Sequence, residues 1–279
     1  MNKTIAATLL IMGLAASCAK SVEQENQNPS EIVLSLGSDS IDMDVQTKAS
    51  ATEISSMPAS LYLAMTTGTA GSSEASKLAS VSKGVSAGKL ATGIYQTESP
   101  TSYNYYLSNL PITVTGTGST IAAVNTTDVI AGTCTSNSAT PAVTLDHVFA
   151  RTGTFNLNAQ KGYEISDISW KIKSESGSGT KGTYNMATKQ WSSVSALAEQ
   201  SVASGTDLYL VPGNYTLSVT YTLKKEDWTK TITKTASVKL EAGKINNISG
   251  TAVGGTAEEI TLSVTLTAWT NNNITVTFS

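Results

Sequence analysis

The sequence predicts an all-β protein, and three observations carry that expectation. Charged residues make up only 14% of the 279-residue chain, against roughly 25% in an average soluble protein. The polar mass is hydroxyl instead, 37 Ser and 41 Thr, and Thr suits a pleated surface where its branched side chain packs against neighbours. Apolar residues recur mostly at every second position, in short runs closed by Gly, Pro or Asn, which is the period of a half-buried strand. Many short strands of this kind pack as sandwiches of antiparallel sheets.

The same composition removes most alternatives. A formal net charge of −3, with 18 Lys plus Arg and a pI near 5.3, leaves no basic excess to neutralise a phosphate backbone, so nucleic acid is not an expected partner. Hydrophobic residues reach 40%, too many for a disordered chain. The single histidine, His147, and the single arginine, Arg151, cannot assemble a histidine metal cage or an arginine clamp. No metal and no cofactor is expected.

Residues 1–17 read as an export signal. Lys3 supplies a positive charge, and an apolar run through Leu14 follows. At ~1.5 Å per residue, a helix of about a dozen residues falls short of a ~30 Å hydrocarbon core, which suits a cleaved signal better than a permanent span. The run closes on Leu14-Ala15-Ala16-Ser17-Cys18, which resembles the lipobox of bacterial lipoproteins. That resemblance implies acylation of the Cys18 thiol after removal of residues 1–17; the alternative is an ordinary secretory leader. Lipid chains contribute about 0.8 kcal/mol per buried methylene, so two or three hold a protein at a bilayer surface. Residues 18–30 are polar without an apolar period and are expected to form a flexible tether. Cys134 is the only other thiol, so no disulfide within the chain is expected.

The remaining length is comfortable for two domains of about 130 residues each. The first expected strand is 31–37, where Ile32, Leu34 and Leu36 share a face and Gly37 ends the run. Residues 59–66 are strand-like again. Between residues 68 and 102 the spacing of Leu78, Val81 and Val85 fits either a short helix or a long loop. Strands are expected at 103–107, at 110–115 beside Pro111, which suits an edge or a strand start, and at 124–131. The polar stretch 132–141, closed by Pro141, is the expected boundary between an N-terminal sandwich, 31–141, and a C-terminal one, 142–279. Trp170, Trp191, Trp228 and Trp269 all fall in the second half, which is expected to hold the larger core. Strands are expected there at 142–148, 153–157, 165–173, 182–186 and 207–211. Pro212-Gly213-Asn214 reads as the turn of a hairpin reaching Leu223. Residues 229–240 read as a strand that turns back through Gly243. The chain ends in two cleanly alternating stretches, 259–269 and 274–278. Only residues 193–203 have a helical spacing.

Catalytic patterns are missing from this sequence. There is no Gly-x-Ser-x-Gly elbow, and a Ser-His-Asp arrangement would depend on His147 alone. Alternation places His147 on one face with Val143, Leu145 and Phe149, the position of a hydrogen-bonded core histidine more often than of a base. The pairs Asp42/Asp44 and Glu258/Glu259 could supply part of a glycosidase, but they fall in expected loops and read as solvated charges. The glycine-rich runs 176–182 and Gly254-Gly255 do not open helices, so they read as turns and not phosphate cradles.

Residues 128–134 (Asp-Val-Ile-Ala-Gly-Thr-Cys), 143–151 (Val-Thr-Leu-Asp-His-Val-Phe-Ala-Arg) and 165–172 (Ile-Ser-Asp-Ile-Ser-Trp-Lys-Ile) resemble the fimbrillin-like lipoproteins of anaerobic Gram-negative bacteria, the subunits of type V pili. Residues 183–191, 209–213 and 264–269 agree, and with the lipobox the likeness covers nearly the whole chain. The resemblance implies two tandem transthyretin-like Greek-key β-sandwiches, lipoprotein export to the outer membrane and a place in a cell-surface fimbrium. It also implies proteolytic removal of an N-terminal segment and polymerisation with itself or sister subunits by donor-strand exchange. Adhesion to a host or bacterial surface ligand is implied, and enzymatic activity is not. The family's maturation protease is expected to cut after arginine, yet none lies between Cys18 and Arg151. Lys48 is therefore the candidate cleavage site, although a site built for a guanidinium fork need not accept an ammonium. Residues 31–37 are the candidate removable strand. Residues 260–268 and 274–278 are the candidate donor strands, with ordinary strands of the second sandwich as the alternative. The rival reading is a monomeric surface glycan-binding lipoprotein, which needs an open Trp or Tyr platform beside polar groups.

Overall fold

The structure, a computed structural model, describes residues 31–37, 58–67, 76–86, 89–95, 102–115, 118–252, 260–268 and 272–277, the last two spans by their backbone pairing. It is all-β, and among the described residues there is no helix. The first strands are β1 (Glu31–Gly37), β2 (Ser60–Thr67), β3 (Ser76–Gly84), β4 (Lys89–Tyr95), β5 (Tyr103–Ser108), β6 (Ile112–Thr115) and β7 (Gly118–Val124). They are followed by β8 (Ile130–Ser136), β9 (Ala142–Thr144), β10 (Asp146–His147), β11 (Ala150–Ala159), β12 (Glu164–Ser174), β13 (Lys181–Asn185) and β14 (Gln190–Ser195). The last are β15 (Gln200–Val202), β16 (Tyr209–Leu210), β17 (Gly213–Lys225), β18 (Trp228–Leu240), β19 (Lys244–Ala252), β20 (Ile260–Ala268) and β21 (Asn272–Thr277).

Five sheets result. Sheet I has the order β4-β1-β9, sheet II β10-β8-β5-β2-β3, sheet III β14-β13-β7-β6, sheet IV β16-β11-β19-β20-β21 and sheet V β15-β12-β17-β18. Sheets I and II close on one core, where Ile32, Leu34 and Leu90 meet Leu61, Leu63 and Tyr105. Sheets IV and V close on another, where Phe155, Leu157 and Ile248 meet Trp170, Leu217 and Tyr221. Sheet II is covered on its second face too, since Ala64, Tyr106 and Ala131 pack with Ile112, Ile121 and Tyr184 of sheet III. This explains β5, which is buried at every position and reads Tyr-Asn-Tyr-Tyr-Leu-Ser instead of alternating. A strand buried on both faces must pair its polar groups internally. Asn104 does so by donating to Thr66 Oγ1 at 3.3 Å and accepting from Thr135 Oγ1 at 2.7 Å.

The two halves repeat one topology. β4-β1-β9 corresponds to β16-β11-β19, and β8-β5-β2-β3 to β18-β17-β12-β15. In both, the first strand runs parallel to the last, Ser35 beside Ala142 and Arg151 beside Ile245, while its other neighbour is antiparallel. Each half also carries an inserted hairpin, β6-β7 and β13-β14. The inserts pair with each other from Lys181↔Val124 to Asn185↔Thr120, so sheet III is shared between the halves. Just past Pro141, β9 and β10 still pair with β1 and β8, and the chain enters sheet IV at Ala150.

Several local expectations need correction. Residues 193–203 are not helical, because they end β14 and supply β15. The span 68–102 contains β3 and β4 in place of a helix or loop. Its apolar spacing is off-period because the β2–β3 ladder is bulged on both sides of Met65, so that Leu63 opposes Val81 but Met65 opposes Leu78. Residues 125–129 form a turn and not part of a strand. Pro212-Gly213 is a crossover between sheets IV and V and not a hairpin turn, since β16 pairs with β11 and β17 with β12. Gly213 has φ +154°, and a Cβ there would lie 2.7 Å from Ser178 Cβ, so close approach explains the glycine. The turn through Gly243 is likewise a crossover, from sheet V to sheet IV.

Candidate assembly interface

β1 occupies the middle of sheet I although it is the first of the described strands. It pairs antiparallel with β4, as in Leu34↔Leu90, and parallel with β9. The Val33 N–H donates to Ala139 O at 2.9 Å and the Ser35 N–H to Pro141 O at 2.8 Å. On the other side the Thr92 hydroxyl donates to Ile32 O at 2.9 Å, and the Gly93 N–H donates to Glu31 Oε1 at 2.8 Å. Ile32 and Leu34 are buried and Leu36 packs half-buried against the same core. Burial of one Ile or Leu stabilises by about 1.5–3 kcal/mol, so the two buried residues together contribute on the order of 5 kcal/mol. A small domain has only ~5–15 kcal/mol in total. Sheet I without β1 would be two separated edges over an apolar slot.

At the other end of the chain, β20 pairs antiparallel with β19 over nine residues, from Lys244↔Ala268 to Ala252↔Ile260, and β21 pairs with β20. The candidate donor stretch 260–268 is thus an added strand of sheet IV within its own chain, with β21 outermost. Its sequence places Leu262, Val264 and Leu266 at alternate positions, the spacing of Ile32, Leu34 and Leu36.

Cys18, Lys48 and Trp269 lie outside the described residues. His147 is half-buried, with its Nδ1 2.6 Å from Asp128 Oδ2; the alternation that buries Val143 and Leu145 lapses at this position, and Val148 and Phe149 are both buried. Arg151 pairs with Asp207 at 2.6 Å; burial pulls its pKa down, but the hydrogen bond and charge of Asp207 outweigh that and hold it above the usual value. Burial pushes the Cys134 thiol up to about 11, so thiolate is scarce at neutral pH. A cavity of about 330 Å³ lies where the halves meet, lined by His147, Tyr184, Lys189, Trp191, Pro212 and Lys244. Lys189 is paired there with Asp146 at 3.2 Å. Among the described residues no cluster of three or more His, Cys, Asp or Glu could hold a metal. The tryptophans divide: Trp170 is core, Trp191 packs on Phe149 and Tyr184, and Trp228 is 42% exposed beside Tyr163.

No family model matches the sequence, and no curated protein matches it. The fold does have solved counterparts. A candidate cell adhesion protein from Parabacteroides distasonis ATCC 8503 superposes with a TM-score of 0.58 at 9% identity, covering 87% of this chain and 98% of the other. A candidate cell adhesion protein from Bacteroides uniformis ATCC 8492 gives 0.49 at 11% identity, covering 86% and 100%. A fimbrial assembly protein from Parabacteroides distasonis ATCC 8503 gives 0.42 at 12% identity, covering 85% and 98%. The first likeness establishes a shared all-β fold over most of both chains; scores below 0.5 add nothing to it.

Proposed function

We propose that this chain is a structural subunit of a surface fimbrium that supports adhesion, exported as a lipoprotein on Cys18 and assembled by donor-strand exchange. The observation that carries the reading is β1, the first of the described strands, seated centrally in sheet I with Ile32 and Leu34 closing the core. Loss of β1, by cleavage at Lys48 or elsewhere, opens an acceptor slot between β4 and β9. Residues 260–268 and 274–278 of another copy or a sister subunit fill it by β-augmentation. Head-to-tail addition of this kind does not close, so it yields filaments. The repeated strand order supports the reading of two transthyretin-like units with a division near Pro141, and the name of the counterpart at a TM-score of 0.58, a cell adhesion protein, agrees with an adhesive role. N-terminal sequencing of subunits sheared from cells, with palmitate labelling of wild type and Cys18→Ala, tests the maturation scheme. Mature chains starting at Ala49 and labelling lost in the variant are expected; filament subunits with an intact acylated Cys18 contradict cleavage at Lys48.

The rival, a monomeric glycan-binding lipoprotein, draws on one feature. Trp228 stands exposed, edge-on to Tyr163 at 6.5 Å, with Lys225 Nζ 5.2 Å from the Tyr163 ring centroid. Saturable glycan binding by a monomer that is abolished in Trp228→Ala supports it, and no binding across a glycan array removes it.

A further inference from the structure

The repeated topology permits a comparison within the molecule. In the first half β4 lies along β1 from Glu31 to Ser35, and β3 lies along β2 from Ser60 to Thr66. In the second half the corresponding strands are stubs. β16 reaches β11 only at Ala150 and Arg151, and β15 reaches β12 only from Trp170 to Ile172. A cleft of about 610 Å³ lies between the two uncovered edges, lined among others by Phe155, Leu157, Ile168, Trp170, Val202 and Ser204.

The backbone shows where the cover stops. The Thr152 N–H donates to Leu208 O at 3.0 Å, Gly153 O accepts the Gly205 N–H at 3.1 Å, and the Phe155 N–H donates to Ser204 Oγ at 2.9 Å. Beyond Phe155 no described strand pairs on this side of β11. The Gln160 N–H donates the other way, to Ala252 O at 2.9 Å. Alternation therefore turns the N–H groups of Leu157 and Ala159 outward with that of Phe155.

This edge also lacks the usual protection. Solitary edges are commonly guarded by lysine. β18 carries Lys230, Lys234 and Lys239, and β3 carries Lys77 and Lys83, whereas residues 154–159 read Thr-Phe-Asn-Leu-Asn-Ala. Across the cleft a bulge in β12, with Asp167 at φ +52°, leaves Ile168 39% exposed. Phe155 and Trp170 are themselves buried and offer no open ring face to a sugar, so the free recognition groups are main-chain groups and an apolar lip.

We propose that the outer edge of β11 at residues 156–159 is a second strand-acceptor site, which takes an extended polypeptide segment of another chain in the antiparallel position that β4 fills in the first half. The segment it fits has the pattern of β4, apolar or hydroxyl residues at alternate positions, as in Leu90, Thr92 and Ile94, with small residues between. The site is independent of β1 exchange and operates whether or not fimbriae form.

The probe is a fluorescein-labelled peptide of sequence Lys89–Tyr95, titrated with the full chain and followed by anisotropy. Saturable binding is expected. It should weaken at least tenfold in the double variant Asn156→Lys, Asn158→Lys, whose side chains are exposed, and in Ala159→Pro, which removes an outward N–H. Ser237→Lys on the far edge of sheet V should leave it unchanged. Circular dichroism and thermal unfolding confirm that each variant folds. No saturable binding to the wild-type chain, or binding that both folded β11 variants retain, overturns the proposal; neither outcome bears on filament formation.

Discussion

Leu34 of β1 stands opposite Leu90 of β4, and neither side chain reaches solvent. The pair joins the first of the described strands to the core that it closes. Leu34→Ala is expected to cost about 2–5 kcal/mol, the range for truncating a buried leucine. Val33→Ala, on the half-buried opposite face, should cost less. Urea unfolding of both variants checks this ordering; equal midpoints would mean that β1 does not hold the first core.

Tyr215 fastens the crossover between sheets IV and V. Its hydroxyl lies 2.7 Å from Val211 O and 3.0 Å from Gly179 O, and it accepts the Gly179 N–H at 2.9 Å. Gly179 O keeps its bond from the Val211 N–H at 2.8 Å, but removing the hydroxyl takes a partner from Val211 O and from the Gly179 N–H, and a buried group left unpaired costs about 1–3 kcal/mol. Tyr215→Phe should therefore lower stability by that amount without changing the far-UV spectrum. Amide exchange at Gly179 should accelerate in the same variant.

The buried tyrosines set an alkaline limit. Burial first, and then Cys134 and Tyr103, push Tyr105 up to about 12; burial first and then Asp146 do the same for Tyr184, and burial alone for Tyr221. Burial carries Cys134 to about 11. Raised folded values mean that the fold favours the protonated forms. Their contribution is fully present below the ordinary pKa values, near 9 for the thiol and 10 for the phenols, and is lost as pH rises toward 11 and 12. Tm should fall between pH of about 9 and 12, and much of the 295 nm tyrosinate signal should appear only with unfolding. A Tm unchanged across that window contradicts the assignment. Cys134 should also alkylate at neutral pH more slowly than a free cysteine, because burial lowers its thiolate fraction.

The sequence carried the fold class and most strand positions, because half-buried strands write themselves as alternation. β17 and β18 were legible for that reason, their buried positions falling at every second residue through much of both strands. β3 was not, since bulges around Met65 break its period. Ile168 and Trp170 stand two residues apart, the spacing of one strand face, yet beside the bulge at Asp167 Ile168 is exposed and Trp170 buried. Sheet pairing was illegible in principle at Pro212 and Gly243, where a turn signal specifies a reversal but not which sheet receives the next strand. The shared sheet III and the repeated topology arise from contacts between residues far apart in the chain, which local periodicity cannot report. For the candidate site, the pattern of Ile32, Leu34 and Leu36 marked β1, but its central place in sheet I came only with the structure.

The most direct test of strand exchange uses a chain with a specific protease site introduced after Lys48, cleaved so that residues 31–48 can dissociate, and analysed by unboiled denaturing electrophoresis. The account predicts a ladder of detergent-resistant multimers from the cleaved full chain, none from the cleaved chain lacking residues 260–279, and suppression of the ladder by a synthetic Ile260–Ala268 peptide. A cleaved full chain that stays monomeric, or a ladder that forms without residues 260–279, would contradict it.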